Sequence, residues 1–193
     1  MENKKLLIVV ALLFVQGMAA QSGFAEDHRS HGAHVHGVGK LQVAIDNQTL
    51  SIGLESPAIN IVGFEHHPGN TEEKKTVRDA KKILWDSSLL FGLPVAAQCQ
   101  VVDTKVDFEL IEDESDHEAE EHGHEAEEHE EESRHSEILA SYTFRCEKPN
   151  ALTHLDIHLF RHFPATEELE TQFITSKGQG VAELTPDTPR LTF

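Results

Sequence analysis

The chain has 193 residues, enough for one ordinary domain, and 34 acidic against 16 basic side chains give it a formal net charge of -18. A balance this acidic provides no cationic track for a nucleic-acid backbone and argues against that class of partner.

The N-terminal stretch reads as a secretory signal peptide. Lys4 and Lys5 precede an apolar run at 6–15, which is too short to span a bilayer, and small residues follow with cleavage expected after Ala25 or Ala20. The expected mature chain, 26–193, is a single domain with no membrane span. It begins with His28, His31, His34 and His36, of which the first two sit in a polar tail. The pair His34-x-His36 leads directly into alternating Leu41, Val43 and Ile45, a half-buried strand. If that strand begins at His34, the two imidazoles share one of its faces. A turn at Asp46-Asn47 and a second alternation through Leu50, Ile52 and Leu54 complete a hairpin, which Pro57 ends.

Residues 58–67 read as an apolar connection closing on Glu65, His66 and His67, and Pro68-Gly69 breaks it. Residues 71–85 carry the one main helix. Thr71 is the expected N-cap, Glu72 and Glu73 lie in the first turn, Lys81 and Lys82 in the last, and Val77, Ala80 and Ile83 or Leu84 form the inward stripe. An apolar linker at 87–97 is expected to pack under the sheet.

Two strands then flank an insertion. Val102, Val106, Phe108 and Leu110 share one parity before it, and Ile138, Ala140, Tyr142 and Phe144 share one after it. Between them, residues 112–135 hold thirteen acidic side chains, five histidines and a single arginine, Arg134, for a formal charge of -12. A segment with nothing larger than Ala among its aliphatic residues cannot bury enough surface to offset its ordering entropy, so a disordered loop is expected. Its H-x4-H-x-H-x4-H spacing (His117, His122, His124, His129) among carboxylates points to metal capture rather than to a merely solvated acidic run. In an exported protein the two cysteines, Cys99 and Cys146, read as a disulfide stapling the base of the hairpin. Cys99 lies on odd parity while Phe108 and Cys146 lie on even, so in-register pairing requires a β-bulge near Cys99.

After Pro149, His154-x-Asp156-x-His158 is compatible with the outward face of a strand, although His154, His158 and His162 also fit helical spacing. A hairpin over Lys177-Gly178 and a short edge strand at 191–193 end the chain. The expected fold class is α+β: a mostly antiparallel sheet of five to eight strands covered by one main helix, with the His/acid insertion in a long hairpin.

Six blocks together carry a resemblance over 26–193: AHVHG, SPAINIVGFEHHP, LFGLPVAAQC, YTFRC, LFRHFP and GQGVAELTP. The chain resembles the ZrgA-type zinc-regulated periplasmic proteins. The resemblance implies periplasmic location, zinc binding through a His-rich region, a role in zinc acquisition and no defined catalytic activity. The matching positions are His34, His36, His66 and the insertion between the cysteines.

A zinc site needs three or four donors about 2.0–2.3 Å from the ion, and no local motif such as H-E-x-x-H supplies them. Donors from separate stretches must converge. The expected fixed site is His34, His36 and His66 with Glu65 or His135 as a fourth ligand. His154, Asp156 and His158 offer a second set of donors, against which a solvated strand face is the preferred reading, and the flexible tail and the loop act as weak multivalent collectors. Imidazole with carboxylate also suits copper and nickel; zinc is preferred on the resemblance. The principal expectation is an accessory protein that captures Zn²⁺ and passes it to a metal-uptake transporter component. The alternatives are a zinc-dependent hydrolase with Glu65 as base, and a structural protein whose loop binds cationic surfaces by charge.

Overall fold

The computed structural model describes residues 35–108 and 136–193. The signal-peptide expectation and His28, His31 and His34 lie outside the described residues, as do the insertion and its His117, His122, His124, His129 and His135.

Period-two alternation builds the main sheet. β1 (Val38–Asp46) and β2 (Thr49–Pro57) form an antiparallel hairpin that buries Leu41, Val43, Leu50, Ile52 and Leu54 on one face. The hairpin turns at Asn47, in the left-handed region at φ 53°, a conformation asparagine tolerates better than most residues. β1 begins at Val38, so His36 stands in the turn before the strand rather than on its face, contrary to the sequence expectation. β2 next pairs with β5 (Glu137–Cys146), and β5 with β4 (Cys99–Phe108). The far side of β1 accepts β7 (Glu168–Thr175) in parallel register, and β8 (Gly178–Leu184) closes the edge as a hairpin with β7. The resulting order is β4-β5-β2-β1-β7-β8.

The long hairpin is present with its staple. Cys99 and Cys146 pair directly and are joined by a disulfide. The expected bulge lies between Val101 and Asp103, where Val102 is left out of the pairing and is 60% exposed. One extra residue reverses the parity, so Cys99 and Phe108 can both meet even-numbered partners on β5.

α2 (Thr71–Trp85) covers the buried face with Val77, Ala80 and Leu84. The buried Tyr142 hydroxyl donates to the Leu84 carbonyl at 2.7 Å, fixing the last turn of α2 over β5; burial raises the phenol's pKa. The N-cap is Asn70, not Thr71: its Oδ1 accepts from the backbone N–H of Glu72 and Glu73, both at 3.0 Å. The connection at 58–67 contains a helical turn, α1 (Ala58–Val62). The linker after α2 folds as α3 (Ser87–Leu90), β3 (Phe91–Gly92) and a 3-10 turn at Val95–Ala97. β6 (His154–Ile157) lies between β3 and β9 (Arg190–Thr192) in a separate three-stranded sheet, and α4 (Leu159–His162) follows β6. The described residues thus hold nine strands in two sheets, where one sheet of five to eight was expected. The class is unchanged, α+β with mainly antiparallel pairing. Leu155, Ile157 and Leu191 join the core, and Phe91 meets the Tyr142 ring edge-on at 5.1 Å.

Candidate metal centre

The region around His36 is assembled by α1. Gly63, at φ 85°, ends this helix in the left-handed conformation and donates its N–H to the Ile59 carbonyl. The chain then turns into Phe64, Glu65 and His66. Asn60, 2% exposed inside the apolar AINIV run, reaches back to the residues before β1. Its Oδ1 accepts from the Gly37 N–H at 2.8 Å, and its Nδ2 donates to the Val38 carbonyl at 3.1 Å and to Ser56 Oγ at 3.3 Å. The Gly37 carbonyl accepts from the N–H groups of Glu167 and Glu168, which locks the same turn to the start of β7. His36 is therefore held through its neighbour while its own ring remains 59% exposed.

This places His36 Nε2 3.5 Å from Glu65 Oε1, whose side chain is 20% exposed. A third stretch arrives at the same place. Ser136 Oγ donates to the Glu65 carbonyl at 2.8 Å, and the Ser136 carbonyl accepts from the Ala58 N–H at 2.8 Å. His66 stacks on Phe64, with ring centroids 4.9 Å apart, and its Nδ1 lies 2.9 Å from the His67 carbonyl oxygen. A carbonyl can only accept, so this contact puts the proton on Nδ1 and leaves the Nε2 lone pair available for a metal. The structure thus brings together His36 and Glu65, with His66 adjoining in the chain and exposed. Among the described residues, no three His, Cys, Asp or Glu side chains stand close enough to enclose an ion.

The C-terminal motif is only partly a strand, since β6 ends at Ile157 and His158 opens α4. Its carboxylate is also engaged. Arg190 donates through Nε and a terminal nitrogen to the two oxygens of Asp156, at 2.5 and 3.0 Å, and this pairing holds the carboxyl below its usual pKa. His154 Nε2 lies 3.8 Å from Asp156 Oδ2.

Asn60, Ser136 and Arg190 were not singled out from the sequence. Asn60 had a signal, a lone amide within an apolar run, where a buried polar side chain must find partners. Ser136 and Arg190 had none, because their partners are 71 and 34 residues away.

Among the described residues, no helix is long and apolar enough to cross a membrane. No curated protein matches the chain. A family profile described as "ZrgA family zinc uptake protein" matches residues 33–193, which takes in both sheets, the stapled hairpin and the His36–Glu65 region. The chain therefore belongs to the ZrgA family of zinc uptake proteins.

Proposed function

We propose that the protein is a periplasmic accessory factor that captures Zn²⁺ as cargo and passes it to an uptake transporter, with His36 and Glu65 at the centre of its tightest site. The observation that carries this reading is the meeting of three stretches at Glu65. His36 faces its carboxylate, and Ser136 is bonded to its carbonyl. In the sequence, His34 is two residues before His36, His66 follows Glu65 and His135 precedes Ser136. Each chain segment that meets at Glu65 therefore carries a further imidazole within two residues in the sequence. Neutral imidazole and carboxylate are the donor types zinc accepts.

Exposure of His36 suits cargo that must be loaded and released. The insertion, with His117, His122, His124 and His129 among carboxylates, would raise the local ion concentration through many weaker encounters. The family is described by zinc uptake rather than by a reaction, in keeping with a binding role.

Calorimetric titration of the mature protein tests the assignment. His36→Ala and Glu65→Gln are each expected to weaken the tightest class by more than about tenfold, since even groups that only orient a zinc ligand are worth about 10–100-fold. Replacing the four insertion histidines should lower stoichiometry and preserve that class. Protons compete for the imidazoles, so affinity should fall as the pH drops from about 7.5 to about 5.5. If the insertion variant loses the tight class and His36→Ala keeps it, the site at Glu65 is wrong.

A further inference from the structure

We propose that the hollow between β6, α4 and the turn before β9 is a binding site for a small carboxylic acid with an apolar body, its carboxylate held by Arg161 with Arg190 beside it. This lies beyond zinc uptake and does not rest on the site at Glu65, because it assigns an organic anion, not a cation, to the other sheet.

The walls are set by the fold itself. Leu159, Phe160 and Phe163 are buried on either side of Arg161 in the chain and root α4 in the core. The Arg161 N–H donates to the His158 carbonyl at 3.0 Å, which fixes the backbone that carries the guanidinium. The second wall is the turn at 185–189. Its Thr188 N–H donates to the Thr185 carbonyl at 3.0 Å, and the two threonine hydroxyls meet at 2.9 Å. The Pro189 carbonyl accepts from the Ile157 N–H at 2.7 Å and ties this turn to β6. The hollow so enclosed measures about 460 Å³, within the size range of small-molecule sites, and Ile157, Phe160, Pro186 and Pro189 supply its apolar lining.

Charge selects the occupant. Two guanidiniums and one carboxylate, with the His158 ring, complete the lining, a formal surplus of one positive charge on a chain whose net charge is -18. Both oxygens of that carboxylate, Asp156, are committed to Arg190. Among the described residues, the guanidinium of Arg161 has no hydrogen-bond or ion-pair partner, and Asp187, at the tip of the turn, does not line the hollow. Such a lining repels a dication. It suits a carboxylate, whose two oxygens match the parallel N–H donors of a planar guanidinium. Arg190 keeps further N–H groups beyond the two it gives to Asp156. A bare anion would use the charge alone; the apolar walls add contact only for an acid that carries a hydrocarbon body.

The test is a titration of the full mature chain, metal-free and carrying isotope-labelled arginine, followed by the guanidinium carbon resonances at about pH 7.5, where an unperturbed histidine is neutral. Sodium benzoate is the probe, with sodium acetate and sodium chloride at equal ionic strength beside it. Benzoate should shift the Arg161 resonance saturably and chloride should not, while acetate, which lacks the apolar body, should bind more weakly by on the order of tenfold. Arg161→Gln, read through the Arg190 resonance, should weaken benzoate binding by about tenfold or more, the worth of a charge-assisted hydrogen bond, and Arg161→Lys, which keeps the charge and loses the fork, should fall between. Asp156→Asn should tighten binding, because it removes the competing carboxylate and releases Arg190; thermal melts confirm that each variant is folded. No saturable shift with benzoate, or the same shift with chloride, overturns the site. Acetate binding as tightly as benzoate overturns the apolar body, and a folded Asp156→Asn variant that binds no more tightly overturns the part given to Arg190.

Discussion

The staple at the base of the long hairpin allows a stability effect to be worked out from the structure. Cys99 and Cys146 are 47 residues apart and close a loop containing the whole insertion. In the chain-entropy description, a cross-link around 47 residues restricts the unfolded ensemble by about 4 kcal/mol near room temperature. The native ladder does not depend on the bond for its register, because β4 and β5 stay paired as far as Phe108 and Ile138 and are packed on one face against the core. Reduction should therefore leave a folded protein that melts roughly 8–16 °C lower, at about 2–4 °C per kcal/mol for a domain of this size. The assay is urea and thermal unfolding in metal-free buffer, oxidised against reduced, followed by circular dichroism. Loop length provides a sharper check. Replacing 109–135 by a short turn leaves a closed loop of roughly 20 residues and should lower the contribution of the bond by only about 0.8 kcal/mol, because closure entropy is logarithmic in length. Superimposable melts of the oxidised and reduced forms would refute the pairing in solution. A staple that loses most of its effect in the shortened protein would refute the entropic account.

Asn60→Ala should destabilise by about 2–3 kcal/mol in urea titrations, because it leaves the Gly37 N–H without its partner and removes two further bonds. It should also weaken zinc binding at the proposed site, whose His36 that turn positions; a stability loss with unchanged zinc affinity would separate the two roles. Asp156 has a folded-state pKa below its unfolded value, so the pairing with Arg190 stabilises the protein above about pH 4 and is lost as pH falls through the depressed value. The stability difference between wild type and Arg190→Gln in metal-free buffer should accordingly be constant from about pH 8 to 5 and shrink below about pH 4; a difference that persists under acid would show that Arg190 acts by packing.

Much of the fold was legible because local patterns and tertiary demand coincide. Leu41 with Val43, Leu50 with Ile52 and Leu54, and Ile138 through Phe144 alternate because each strand has one buried face, and these residues are the core. Even the bulge was readable, since a parity conflict between Cys99 and Cys146 has few other resolutions. α2 was clear from its stripe, while its cap was misplaced by one because Asn70 and Thr71 are both competent and only the backbone angles choose. Short elements escaped: α1 spans five residues and β3 two, fewer than a period needs to declare itself.

At the candidate sites the division is sharper. Composition pointed to imidazole and carboxylate as donor types, and the family resemblance pointed to the AHVHG and FEHHP stretches as places to look. Partnership was decided by the tertiary structure. Pairing of β1 with β7 joins segments about 130 residues apart in parallel, and nothing within either strand encodes that neighbour. Asn60 has to reach back across β1 and β2 before His36 can face Glu65. Arg190 comes from the C-terminal edge strand to occupy the Asp156 carboxylate that the sequence alone left open. Side-chain type is local information. Which donor meets which carboxylate depends on strand order and on hydrogen bonds between distant residues, and only the folded chain specifies those.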